Sequence, residues 1–310
     1  MNYEAFIEEQ IAELKRTVGG GLAINALSGG VDSSVVTVLA HRALGKNLCS
    51  FFVDNALMRE GEPQRVLAIF QQLGIPVQLV DARKEFLEAL RGLTDPEEKR
   101  QAITTTFYRQ VFRRLVQETG ATFLLHGTIL TDIEETVAGI KRQHNILEQI
   151  GIDPQKAYGY RVLEPLKTLR KNEVRDVARR LGLPEEITSR MPFPGPALAA
   201  RIVGEVTEER LATVRAATAI VEEELAGCGA FQYMAVLLND RATGLRNGRR
   251  EFGQIIVVRC VESTDARTAS VTRLPWETLE RITARVTALP NVNRCLYDLT
   301  PKPPATIEYV

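Results

Sequence analysis

Among the residues of this chain, Ser28-Gly29-Gly30-Val31-Asp32-Ser33-Ser34 has types and spacing suited to holding a polyanion. It follows an apolar run over 22–27 and leads into a segment, 33–44, with apolar residues at helical intervals. In open α/β sheets such a strand-to-helix turn lies where ligands bind. Gly29 and Gly30 permit positive φ and close backbone approach to an anion. Successive backbone N–H groups then line one concavity, and the helix that follows adds its own unpaired N–H groups and positive dipole end. Ser28, Ser33 and Ser34 supply hydroxyl donors, and Asp32, a carboxylate beside an anion, suits a Mg²⁺ ligand. A plain glycine turn with Asp and Ser capping a helix would use the same residues. The full string between strand and helix points to phosphate instead. Two other phosphate patterns fail. Gly45-Lys46 is followed by Asn47 rather than Ser or Thr, and Gly19-Gly20-Gly21 precedes the strand it would have to follow. Transfer of a terminal phosphate, as in kinases, is therefore disfavoured.

The elements that must position this loop read as alternating strand and helix. Strands are expected over 22–27, 48–53, 77–80 and 122–126, and helices over 33–44, 62–73, 96–119 and 172–181. That alternation predicts an α/β fold with a parallel sheet covered on both faces. Met191-Pro192-Phe193-Pro194-Gly195-Pro196 cannot continue a helix and sets the expected domain boundary, giving domains 1–190 and 191–310. Beyond it, a helix over 208–225, strands over 232–238 and 254–261, a helix opening at Pro275 and a strand over 293–298 predict a small α+β domain.

Composition narrows the function classes. The chain has 310 residues, which suggests two domains. Lys plus Arg equals Asp plus Glu at 39 each, so bulk charge gives no support for a nucleic-acid partner. No apolar run reaches the roughly 20 residues of a membrane helix. Residues 1–16 are charged and amphipathic, unlike a secretory signal. Cys49, Cys228, Cys260 and Cys295 are widely spaced, which predicts reduced thiols and a cytoplasmic location, and His41, His126 and His144 lack metal-ligand spacing.

The string 28–34 resembles the signature loop of the ATP pyrophosphatases, which cleave ATP between the α and β phosphates. Five further segments resemble the GMP synthase family: Phe51-Phe52-Val53-Asp54-Asn55, Asp95-Pro96-Glu97-Glu98-Lys99-Arg100, Glu164-Pro165-Leu166-Lys167, Phe193-Pro194-Gly195-Pro196 and Lys302-Pro303-Pro304-Ala305-Thr306-Ile307-Glu308. Together they span essentially the whole chain. The resemblance implies a parallel-sheet ATP pyrophosphatase domain, of the adenine nucleotide α-hydrolase kind, followed by an acceptor-binding and dimerisation domain. It implies the amination of XMP to GMP, with ATP and Mg²⁺, through an adenylated intermediate shielded by a closing loop. It places Ser28, Gly29, Gly30, Val31, Asp32, Ser33, Ser34 and Val53 against ATP and pyrophosphate, with Asp32 toward the metal. Asp132, Glu135 and Lys141 match the family's lid, although a solvated helix face would show the same charge spacing. Arg100, Gln232, Arg250, Lys302, Ile307 and Glu308 match positions lining the XMP site. A homodimer and a separate glutamine amidotransferase subunit supplying ammonia are also implied.

Several positions depart from the family pattern. The lid stretch Lys141-Arg142-Gln143-His144-Asn145 is one histidine short, Ala197 stands for a glycine, Gly248 for an acidic residue and Val310 for a glutamate. If Ala197 needs positive φ, alanine there costs about 1 kcal/mol. These changes fall on the lid and the acceptor side. They leave open a relative that adenylates another acceptor, or a non-catalytic nucleotide-binding partner. A tRNA-thiolating enzyme would need paired cysteines and a basic surface.

Overall fold

The computed structural model describes residues 2–137, 159–264 and 266–310. In chain order the described elements are α1 (Tyr3–Val18), β1 (Ala23–Leu27), α2 (Val31–Leu44), β2 (Leu48–Asp54), α3 (Glu62–Gln72), β3 (Gln78–Asp81), α4 (Arg83–Leu90), α5 (Pro96–Thr105), α6 (Arg113–Thr119), β4 (Phe123–Leu125), α7 (Leu130–Val137), β5 (Arg161–Leu163), α8 (Lys171–Arg180), α9 (Glu185–Thr188), α10 (Glu208–Glu224), β6 (Gln232–Arg246), β7 (Arg249–Glu262), β8 (Ser270–Val271), α11 (Trp276–Thr287) and β9 (Val292–Tyr297). They divide into two compact units. The first comprises 1–54, 63–82 and 104–190, and the second 55–62, 83–103 and 191–310.

The first unit is an α/β layer structure. Its sheet has the order β3-β2-β1-β4-β5 with every neighbouring pair parallel, as in Ala26 opposite Phe51 and Ile24 opposite Leu124. β1 is central and buried, and the chain leaves it in one direction for β2 and β3 and in the other for β4 and β5. The switch point thus falls between the loops after β1 and β4. α2 buries Val31, Val35, Val36, Val38, Leu39, Ala40 and Ala43. α1 starts at Asn2, whose side chain accepts from Glu4 N and Ala5 N at 3.2 Å, and buries Phe6, Ile7, Leu14 and Val18. Arg42 Nη2 donates to Leu181 O at 3.0 Å, tying α2 to the end of α8.

The helix expected over 96–119 is interrupted. A π-helical stretch, Thr106–Phe112, separates α5 from α6. Phe107, Tyr108 and Phe112 form an aromatic cluster there, which Tyr160 joins edge-on to Phe112 at 6.2 Å. The wider turn places successive large rings together where regular helical spacing would separate them. α4 and the three-residue β5 carry too short a pattern to announce themselves in sequence.

The second unit is built on an antiparallel hairpin of β6 and β7, longer than the two short strands expected. Asn247 and Gly248 close it, with φ of 50° and 75°. That is the Asn-Gly turn with positive φ at both centres, which matches strand twist. The expected strands end at 238 and begin again at 254 because the outer ribbon is largely exposed, with Leu245 and Phe252 its only large apolar side chains. β9 lies parallel to β7 and β8 antiparallel to it. Met234, Val236, Val257, Val261, Ala269 and Ile307 form a buried core.

Buried Lys99 donates from Nζ to Ile202 O and Gly204 O, both at 2.8 Å. Arg210 takes Val203 O, Glu205 O and Leu238 O. Burial, reinforced by the Arg210 charge, pushes the Lys99 ammonium down to about 8.

After the proline-rich segment, Ala197 N donates to Pro194 O and Leu198 N to Leu57 O, each at 2.9 Å, opening a 3₁₀ turn over Ala197–Arg201. Ala197 is buried with φ of 53°, so the position does require the left-handed region. Glycine would relieve a backbone cost of about 1–2 kcal/mol while losing part of that gain to its freer unfolded chain. Ala197→Gly is expected to raise the thermal midpoint by roughly 1–3 °C. A midpoint that falls would show the alanine methyl packs better than its backbone is strained.

Candidate functional site

Two clusters hold the candidate residues, one in each unit. In the first, the chain turns from β1 to α2 through Ser28-Gly29-Gly30. Gly29 has φ of 75°, a conformation only glycine takes cheaply, whereas Gly30 at −78° is ordinary extended backbone. The expectation of positive φ at both glycines thus holds for Gly29 alone. Gly30 is the helix N-cap and no side chain caps the helix. The Asp-and-Ser capping alternative therefore fails, and the first-turn N–H groups of Val31, Asp32 and Ser33 precede any intrahelical acceptor.

The serines shape the loop. Ser33 Oγ lies 2.9 Å from Ser28 Oγ, receives Ser28 N at 3.2 Å and donates to Gly30 O at 3.0 Å. Behind it, Thr37 Oγ1 donates to Ser33 O at 2.7 Å and receives Asn25 Nδ2 at 2.6 Å. Ser34 is fully buried. The Ser28 and Ser33 hydroxyls are thus internal struts of the loop, while Ser34 Oγ is buried without a hydrogen-bond partner among the described residues.

Asp32 shows two different oxygens. Oδ2 accepts from Lys171 Nζ at 2.6 Å, and Oδ1 is buried with no hydrogen-bond partner among the described residues. Arg190 Nη1 donates to Gly29 O at 2.8 Å. The β4 loop comes alongside: a Cβ on Gly127 would meet Asp32 and Ser33 backbone at 3.4 Å. Thr128 Oγ1, in contact with His126 Nδ1 at 2.8 Å, donates to Glu164 Oε1 at 2.6 Å. Lys171, Arg190, Thr128 and Glu164 escape sequence reasoning as site residues because they lie about a hundred or more positions along the chain from the loop. Val53 is buried in β2 opposite Val80.

Of the three residues expected in a lid, Asp132 sits in the first turn of α7, where Oδ2 accepts from Ile129 N at 3.1 Å. Glu135 follows one turn on in the same helix. Lys141, with Gln143 and His144, lies outside the described residues.

In the second unit the chain's tail carries the cluster. Glu308 Oε1 receives Gln232 Nε2 at 2.5 Å and Arg201 Nη2 at 3.3 Å, and Oε2 receives Arg201 Nε at 3.4 Å. Ile307 is in the core, and Lys302 Nζ donates to Ala266 O at 2.8 Å. Arg100 pairs with Glu97 at 2.6 Å and reaches Val310 O at 3.3 Å. Buried Arg259 threads the tail through four acceptors, the Asp298 carboxylate and the carbonyls of Thr300, Thr306 and Ile307. Arg250 is the exception to this gathering. Gln232 pairs with Val261 at one end of the hairpin and Arg250 with Leu245 at the other. About 11 strand residues, or roughly 35 Å, separate them. Within one chain Arg250 and Gln232 therefore do not meet the same small ligand.

The sequence matches the family profile of the PP-loop domain over residues 3–184 and that of the GMP synthase C terminal domain over 221–309. It is 51% identical to a subunit of the glutamine-hydrolyzing GMP synthase of Archaeoglobus fulgidus, over 100% of each chain. It is 49% identical to the like-named subunit from Methanopyrus kandleri, over 98% of each. This chain belongs to the family of ATP pyrophosphatase subunits of split GMP synthases. The NH3-dependent NAD synthetase of Campylobacter jejuni superposes with a TM-score of 0.47 at 17% identity, covering 61% of this chain and 77% of that one. For a split GMP synthase, an α/β ATP pyrophosphatase fold and a C-terminal domain are the expected parts of this chain, and both are present. No helix among the described residues is long and apolar enough to cross a membrane.

Proposed function

We propose that this chain is the ATP-dependent half of a two-subunit GMP synthase, a ligase forming a C–N bond. ATP adenylates the 2-oxygen of XMP and pyrophosphate leaves. Ammonia then adds at that carbon, AMP leaves, and GMP is formed. The observation that carries this reading is the SGGVDSS loop, seated at the sheet's switch point with the first-turn N–H groups of α2 ahead of any intrahelical acceptor and Asp32 Oδ1 buried without a hydrogen-bond partner among the described residues.

The residue roles are proposed from the family resemblance, with the positions above in support. The N–H groups of 29–33 and the α2 dipole hold pyrophosphate as charge develops on it. Lys171 and Arg190 keep positive charge close to the loop. Val53 lines the adenosine side. Mg²⁺ leans on one or two carboxylates and on substrate phosphates, and Asp32 Oδ1, buried without a hydrogen-bond partner among the described residues, would be its protein ligand. Bound there, it would neutralise phosphate charge. Asp132, Glu135 and Lys141 are assigned, from the family resemblance, to a lid that would exclude water. Arg100 meets the acceptor's phosphate, and Gln232, Lys302, Ile307 and Glu308 meet its ring and sugar.

The second unit is proposed to form a homodimer. Its exposed Leu245, Phe252, Leu296 and Leu299 favour an interface, and a hairpin reaching a second copy would give Arg250 a place in an acceptor site. Ammonia is proposed to come from a separate glutamine amidotransferase subunit in the cytoplasm. Another acceptor is disfavoured. Gly248 replaces the family's acid inside a turn that needs positive φ, while Glu308 and its donors are intact.

The test is nucleotide release. With ATP, Mg²⁺, XMP and saturating ammonium, AMP should form in step with GMP and should not form with IMP in place of XMP. Folded protein that makes no XMP-dependent AMP refutes the reading.

A further inference from the structure

We propose that Arg201 is the positioning residue of the acceptor site, fixing the Glu308 carboxylate from behind so that its free lone pairs accept ring N–H groups of an oxidised purine. This rests on the acceptor site assigned above. It also gives the proline-rich segment 191–196 a role beyond punctuation.

The burial order sets the roles. The Arg201 side chain is 1% exposed and that of Glu308 is 21% exposed. An incoming ring can meet Glu308, whereas Arg201 stands behind it. Arg201 approaches both carboxylate oxygens, at 3.3 and 3.4 Å, and Gln232 holds one of them at 2.5 Å. A carboxylate has about four acceptor positions, so donors on one side leave the others turned outward. The Arg201 contacts are longer than charge-assisted bonds normally are, which leaves room for them to shorten when a ligand presses on the carboxylate.

Arg201 is itself held. Phe193 meets two guanidiniums, Arg201 at 4.9 Å and Arg59 at 3.9 Å from its ring centre. Arg59 has Glu222 at 2.6 Å and Glu62 at 4.0 Å to balance it. The acid that balances Arg201 is Glu308. Packing does not explain a guanidinium here. Leu or Met would fill the space against Phe193, and Arg201 Nη1 is buried with no hydrogen-bond partner among the described residues, which costs stability. A charge that is costly to bury and aimed at a ligand-facing carboxylate is explained by orienting that carboxylate.

Arg201→Gln and Arg201→Lys test this, with thermal midpoint, kcat, and KM for XMP and for ATP measured on the full chain. Arg201→Gln should raise KM for XMP by about 30-fold or more, as loss of one partner of a buried charge pair does. KM for ATP should stay within about twofold. Arg201→Lys keeps the charge without the two-pronged fork, so it should fall between wild type and Arg201→Gln. If Arg201→Gln does not fold, the lysine variant decides alone. An unchanged KM for XMP in Arg201→Lys, or equal rises for XMP and ATP in either variant, overturns the proposal. Wild-type protein inactive with XMP refutes the functional reading instead. Active wild type with unaffected variants refutes only the role of Arg201.

Discussion

Asp32→Ala is expected to fold, bind ATP weakly and form AMP at less than about one-thousandth of the wild-type rate, because it loses the carboxylate that would hold Mg²⁺ against the reacting phosphates, worth about 4 kcal/mol. The fold survives because Asp32 does little for it. Its ion pair is with Lys171, which is 46% exposed, so solvent screens most of its value and it contributes at most about 1 kcal/mol. Its place in the first turn of α2 adds about 0.3–1 kcal/mol through the helix dipole. Circular dichroism and thermal unfolding should therefore stay near wild type while pyrophosphate release collapses. Wild-type release from the variant would show that the loop binds something other than the reacting end of ATP. Asp32→Asn sharpens the result. It keeps size and one acceptor but not charge, so a loss close to that of alanine assigns the effect to the carboxylate.

The loop is legible in sequence because its parts are contiguous: the strand, Gly29, the helix start and Asp32 lie within a dozen residues. What surrounds it is not. Lys171 reaches Asp32 from 139 positions away, and only the order of strands β1, β4 and β5 brings α8 to that place. The hairpin is half legible. Its inner ends carry the apolar alternation of a buried face, and its outer ribbon does not, although Asn247-Gly248 is the strongest local turn signal in the chain. Taking those two residues for a lost acidic position hides the turn. The distance of Arg250 from Gln232 is hidden for the same reason, since it is set by a strand length that composition does not reveal. The tail is legible as a motif, but not as a structure. Nothing local to residues 302–308 says that Arg201 and Arg259, both wholly buried, are what hold it.

Arg259→Met is expected to destabilise the protein by about 3–5 kcal/mol, the cost of breaking a buried charge pair from one side. For a unit of this size that lowers the thermal midpoint by roughly 10 °C. Arg259 donates to Asp298 Oδ2 at 2.6 Å, Thr300 O at 2.8 Å, Thr306 O at 2.8 Å and Ile307 O at 3.1 Å, so one side chain pins the tail at both ends of its final turn. Without it those carbonyls lose their donor, Ile307 leaves the core more readily, and Glu308 loses its fixed approach to Gln232. Limited proteolysis should then cut within the last residues, and calorimetry should show XMP binding lost while ATP binding persists. Acid unfolding gives an independent check. Burial alone would raise the Asp298 carboxyl, but hydrogen bonds from Thr300 and the Arg259 guanidinium outweigh it and hold the group below its usual range. A carboxyl held low in the folded state adds stability that is present above its unfolded value, near 3.9, and is lost as pH falls through its folded one. Arg259→Met removes part of that contribution, so its acid unfolding should begin at higher pH than wild type. An unfolding midpoint within about 2 °C of wild type, with an unmoved acid limb, would mean that the tail is held by its apolar contacts and that Arg259 is a bystander.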